Sequence, residues 1–147
     1  MRATTYRRGR PRANPEAKLQ AAVREYLVIC LPEPPAPGGI LWTASLTGTF
    51  LSPAARSRAK AMGVRRGFPD LQFVFPDGVT RYIELKAPAS AGGGSLSTEQ
   101  RDFRDFVRPH AIWAVCRSID EVAATLRGWG ARLRDDPRGA PWGAKLE

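Results

Sequence analysis

Apolar positions change period along the chain, and each change marks a new element. Leu19, Val23, Tyr26, Leu27 and Cys30 recur at helical spacing. Asn14-Pro15-Glu16 ahead of them gives an N-cap, a proline at the first helical position and an acid at the second. Pro32 and the run Pro34-Pro35-Ala36-Pro37-Gly38-Gly39 end that helix, and residues 40–45 read as a strand. Ser52-Pro53 opens a short helix that Gly63 closes. Residues 70–75 and 79–87 alternate with period two around Pro76-Asp77-Gly78, which predicts a hairpin. Residues 88–94 form a small-residue loop, expected to be mobile. Ser97-Thr98-Glu99-Gln100 has capping-box form and opens a helix expected to turn Phe103, Phe106 and Val107 inward. A strand at 111–116 follows, then a second capping box at Ser118–Glu121 and a helix to about Gly128. The order predicts an α/β fold, a mixed four-stranded sheet flanked by helices. Residues 1–13 read as a flexible basic arm, 14–129 as the folded domain and 130–147 as a tail without a firm element.

The same alternation sorts chemistry from core. Leu71, Phe73 and Phe75 share one face of their strand, and Ile83 and Leu85 share one face of theirs. Asp70, Glu84 and Lys86 point the opposite way, so a consistent pairing gathers them on one side. Partly desolvated charges in one place are costly unless something compensates. A divalent cation and a bound phosphate would do so. Carboxylate oxygens suit Mg²⁺ or Mn²⁺, and a lysine beside them can orient a water or stabilise charge on phosphorus. Pro69-Asp70 followed by Glu84-x-Lys86 therefore has the form of a metal-dependent phosphodiesterase site. Glu16 falls in the same helical sector as Val23, Leu27 and Cys30, facing the sheet; it serves either this site or the helix dipole. Gln100 is accounted for by its capping box.

Charge adds a partner. The 147 residues carry 23 Lys and Arg against 14 Asp and Glu, a net charge of +9, which favours a polyanion. Arg8-Gly9-Arg10-Pro11 in the arm has the form of a minor-groove hook, and a solvated basic tail has the same form. Arg65 and Arg66, close ahead of Asp70, are placed to hold backbone phosphates. No apolar run approaches the roughly 20 residues of a membrane span. Cys30 and Cys116, without a signal peptide ahead of them, suggest the cytoplasm.

Together, Gly63-Val64-Arg65-Arg66-Gly67-Phe68-Pro69-Asp70-Leu71, Ile83-Glu84-Leu85-Lys86 and Leu96-Ser97-x-x-Gln100 resemble the VRR-NUC domain family of the PD-(D/E)xK nuclease superfamily. The resemblance covers roughly residues 14 to 127. It implies a restriction-endonuclease-like core in which Asp70 and Glu84 bind metal, Lys86 is the catalytic lysine and Gln100 lines the site. The family's first-helix acid falls on Glu16. Stand-alone members of this size look bacterial or phage-encoded, and are associated with structure-selective cleavage of branched DNA such as Holliday junctions, often as homodimers. Pro109-His110 departs from the glycine that commonly precedes the last core strand, and the arm and tail have no clear counterpart.

The expectation is a Mg²⁺- or Mn²⁺-dependent endodeoxyribonuclease acting on branched DNA, as a homodimer, in DNA repair, with no small-molecule cofactor and no membrane. Two alternatives stand beside it. One is a nuclease-like module that grips branched DNA without cutting it. The other is a restriction-type subunit that reads a short sequence.

Overall fold

In the computed structural model, which describes residues 14–45 and 52–134, helix α1 (Pro15–Cys30) starts where the sequence places its cap. The Asn14 side chain accepts hydrogen bonds from the backbone N–H groups of Glu16 and Ala17. Strand β1 (Leu41–Ala44) and helix α2 (Pro53–Ala61) follow, then strands β2 (Leu71–Val74) and β3 (Thr80–Leu85). Helix α3 (Thr98–Val107), strand β4 (Ile112–Cys116) and helix α4 (Ile119–Gly128) complete the order.

The sheet runs β1-β2-β3-β4. β1 with β2 and β2 with β3 are antiparallel, while β3 and β4 are parallel, joined by a crossover through α3. This is the mixed four-stranded sheet with flanking helices that the element order predicts. One face of it is dry. Val23, Leu27 and Leu31 beside Val122, Ala123 and Leu126 pack against Leu71, Phe73, Ile83, Leu85 and Cys116. Each such large side chain contributes about 1.5–3 kcal/mol when fully buried, and truncating one to alanine costs about 2–5 kcal/mol. Residues 131–134, read from sequence as tail without a firm element, join this layer. Ala131 and Leu133 are buried in it, and the Arg134 N–H donates to the Cys30 carbonyl at 2.8 Å.

The other face carries α3. Phe103 packs at 4.7 Å on Phe68 and edge-on at 5.2 Å on Tyr82. Phe106 does not turn inward as expected: it is 77% exposed. The covered stripe of α3 runs through Gln100, Phe103, Arg104 and Val107, and Phe106, three residues beyond Phe103, falls off its edge. Among the described residues no helix is long and apolar enough to cross a membrane.

Candidate metal centre

Asp70 stands one residue before β2, and Glu84 is the penultimate residue of β3. The register Leu71↔Ile83 extends by one position to bring Asp70 opposite Glu84, on the face away from the apolar core. Lys86 follows two residues on, and its backbone N–H donates to the Cys116 carbonyl at 3.0 Å. α1 delivers Glu16 from its first turn. One carboxylate oxygen from each of Glu16, Asp70 and Glu84 lies within 4.8 Å of the others.

The approach to Asp70 needs its glycine. Gly67 has φ +87°, and a Cβ there would lie 2.6 Å from the Glu99 carbonyl oxygen. Only glycine accepts both the backbone conformation and the close packing of this turn on α3. The Asp70 carbonyl then accepts from the Ser45 N–H at 2.8 Å, which ties the position to the end of β1.

The site gathers three carboxylates and one ammonium, most of them out of water. Asp70 and Glu84 are 5% and 1% exposed, and Lys86 is 7% exposed. The Lys86 ammonium lies 3.2 Å from Glu84 Oε1 and 3.8 Å from Glu16 Oε1. Asp70 Oδ2 accepts from the Leu85 N–H at 2.7 Å. Even so, burial holds the Asp70 carboxyl above its usual range; the Leu85 hydrogen bond only partly offsets this, and the charge of Glu16 adds to it. Burial and then the neighbouring charge of Asp70 push Glu84 up to about 8, against the opposing pull of Lys86. One lysine does not neutralise three carboxylates.

Gln100 has two jobs at its two ends. Its Oε1 accepts from the Ser97 N–H at 2.8 Å, completing the capping box of α3. Its Nε2 donates to Glu84 Oε1. The sequence accounts for the first contact fully, and the second is visible only once α3 is laid on β3.

The arginines are more peripheral. Arg65 and Arg66 are exposed in the turn between α2 and Asp70. Glu99 is held below its usual range by its own backbone N–H and by Ser97, and the charge of Arg66 adds to this, so Arg66 lies near the start of α3. Arg8 and Arg10, with the rest of the arm, lie outside the described residues, as do residues 135–147. Residues 88–94, expected as a mobile loop, contain a short 3₁₀ turn, Ala89–Ala91, and are tied at both ends by Arg117. No sequence signal points to Arg117, because its carbonyl partners lie 30 and 23 residues away.

Three converging carboxylate oxygens with no sulfur or imidazole among them suit a hard divalent cation such as Mg²⁺ or Mn²⁺. The raised affinity of Asp70 and Glu84 for protons is the sign of a site short of positive charge. The residues present fit such an ion.

The profile of the VRR-NUC domain matches residues 43–120, which takes in Asp70, Glu84, Lys86 and Gln100 but stops short of Glu16. A solved structure described as a VRR_NUC domain protein aligns over 78% of this chain and 86% of its own, at 19% identity and a TM-score of 0.49. No curated protein gives a match.

Proposed function

The chain belongs to the VRR-NUC domain family, a family of nuclease domains, and from that premise we propose that it is a divalent-metal-dependent endodeoxyribonuclease. The observation that carries the reading is the meeting of Glu16, Asp70 and Glu84 around one point, with Lys86 against them. Residues 14–129 form the nuclease domain in this reading, with 1–13 as a DNA-binding arm.

Glu16, Asp70 and Glu84 would hold the ion. When bound, such a metal polarises the scissile phosphate and lowers the pKa of a water. The protein's own groups do the rest. The Leu85 N–H fixes one oxygen of Asp70, and Gln100 Nε2 fixes Glu84, so both carboxylates are set before substrate arrives. The Lys86 ammonium carries donors and a positive charge beside Glu84, where it can orient the attacking water and stabilise charge building on phosphorus. Arg65 and Arg66 hold flanking phosphates, and Arg8 and Arg10 reach the groove.

The net charge of +9 supports a nucleic-acid substrate. Preference for branched DNA, a homodimeric state that would present two sites to two strands, and a role in DNA repair in a bacterial or phage setting are proposed from the family resemblance. The buried thiols Cys30 and Cys116, not joined in a disulfide, suit a reducing cytoplasm.

The test is cleavage of labelled four-way junction, 5′ flap, linear duplex and single strand in Mg²⁺, Mn²⁺ or EDTA, beside Asp70→Asn. Metal-dependent cutting that the substitution abolishes supports the enzyme, and a preference for branched substrates supports structure selectivity. Tight binding with no cutting in either metal would reduce the protein to a binding module. Fixed cut positions on linear duplex would make it a sequence reader.

A further inference from the structure

Helix α2 has no buried residue; Ala55 and Ala59 are its only half-covered positions. A nine-residue helix without core packing is marginal in water. It is basic throughout: Arg56, Arg58 and Lys60 are all exposed. The sequence from 34 to 69 contains no Asp or Glu. The other surface helices are different. In α3, Arg101 and Arg104 are interleaved with Glu99, Asp102 and Asp105, and Arg104 is paired with Asp105 at 2.8 Å. The cations of α2 have no such partners among the described residues, although the fold could have supplied them.

We propose that α2 is a phosphate-holding arm for duplex DNA, which lays Arg56 and Lys60, one helical turn apart on one face, along the backbone beyond the cut. This deepens the nuclease reading and rests on it. The geometry suits the task. The turn after α2 packs through Gly67 onto Glu99, the neighbour of Gln100, so the helix is anchored beside the metal centre. Nine residues separate Lys60 from Asp70, and turns fold this segment back on itself, with the Gly63 and Val64 N–H groups donating to the Lys60 and Ala59 carbonyls. The flanking duplex is the occupant that this charge pattern selects; a second copy of the same basic helix would be repelled.

The experiment uses the full chain with Arg56 and Lys60 changed to Gln, beside Arg58→Gln on the opposite face of the helix. Affinity for a labelled duplex is measured by anisotropy across a salt series, and cleavage kinetics in Mn²⁺ are followed in parallel. The substitutions are exposed, so the fold should hold; circular dichroism and melting check it. The expected result for the double variant is affinity weaker by about 10-fold, a log–log salt slope shallower by about 2 and KM raised with kcat retained, with Arg58→Gln close to the unaltered protein. Unchanged affinity and slope in the double variant, with unaltered protein that binds DNA, would overturn the α2 assignment alone. Unaltered protein that binds but does not cut would overturn the nuclease reading and still test α2. If the unaltered protein bound no DNA, both would fall.

A second inference rests on a separate observation. The Arg117 guanidinium donates through one nitrogen to the Ala87 carbonyl at 2.9 Å and through the other to the Gly94 carbonyl at 2.8 Å. It therefore closes the intervening loop like a clasp. Gly94 lies against the site: a Cβ there would stand 3.1 Å from Lys86 Cδ and 3.8 Å from Glu16 Oε2. We infer that Arg117 is a positioning residue, acting through the loop to confine the Lys86 stem. Arg117→Lys keeps the charge but loses the planar fork that reaches both carbonyls. Arg117→Ala should lower kcat by about 10- to 100-fold with KM for DNA and melting temperature little changed, and Arg117→Lys should rescue it only in part. Gly94→Ala, which leaves the clasp intact, should also lower kcat without weakening DNA binding. Full kcat in both Arg117→Ala and Gly94→Ala would overturn the inference, as would a loss that tracks KM alone.

Discussion

The β2–β3 hairpin buries charge at both of its ends, and the two ends handle it in opposite ways. At the turn, Arg81 meets Asp77 through two hydrogen bonds of 3.0 and 2.7 Å, donates to the Val79 carbonyl and lies 3.9 Å over the Phe75 ring. Asp77 is lowered to about 2, first by its side-chain hydrogen bond with Arg81 and then by the Val79 N–H. At the other end Asp70 and Glu84 are raised, because burial and mutual repulsion outweigh Lys86. The first arrangement is a closed ion pair, its charges matched one to one, with only the buried Arg81 Nε left without a partner. The second is organised and incomplete, which is how a site awaiting a cation differs from a structural salt bridge.

The sharpest way to break this contrast is to neutralise one charge at the open end. Asp70→Asn should reduce cleavage by on the order of 10³-fold or more, while the metal-free protein stays folded. Loss of folding together with activity would make Asp70 a structural residue, like Asp77. The raised carboxyls also set a pH signature. Glu84 titrates near 8 in the folded protein and near 4.5 in the unfolded chain, so folding takes up a proton between those values. Stability from this group is therefore full below about pH 4.5 and is lost as pH rises towards 8. Metal-free protein melted at pH 5 and pH 8.5 should lose several degrees relative to Glu84→Gln measured alongside. A parallel pair of melting curves would mean that burial and the neighbouring carboxylate do not raise Glu84 in the folded state.

Smaller effects refine the boundary between the two ends. Gln100→Ala removes half of the α3 capping box, worth about 1 kcal/mol, and also frees Glu84. It should slow cleavage more than its melting shift explains. Gln100→Glu should restore the cap yet leave cleavage impaired, because a carboxylate cannot donate to Glu84. At the closed end, Asp77→Asn should leave the cleavage rate unchanged and soften only the hairpin. A fall in rate there, measured at a temperature where the variant is fully folded, would show that the turn contributes to the site.

How much of this the sequence discloses follows from which interactions are local. Period-two alternation placed Asp70, Glu84 and Lys86 together, because a strand has only two faces. Helical period turned Glu16 towards the sheet, and caps such as Asn14 and Ser97 are read within three residues. What escaped depends on how elements pack. Phe106 was expected inside, but the width of the buried stripe is set by the sheet beneath α3. The second contact of Gln100 and the Arg117 clasp join residues 16 to 30 positions apart, and no local pattern carries them. Likewise Ala131 and Leu133 read as tail, since two apolar residues among glycines and charges show no period.

The most direct test of the central claim is calorimetric titration of Mn²⁺ into the metal-free protein at pH 7, in two buffers of different ionisation enthalpy. Binding should be accompanied by proton release, because Glu84 and Asp70 must give up protons they hold unusually tightly. Both the binding and the release should be lost in Glu84→Gln and kept in Asp77→Asn. Absence of binding, or binding that Glu84→Gln leaves untouched, would contradict the account.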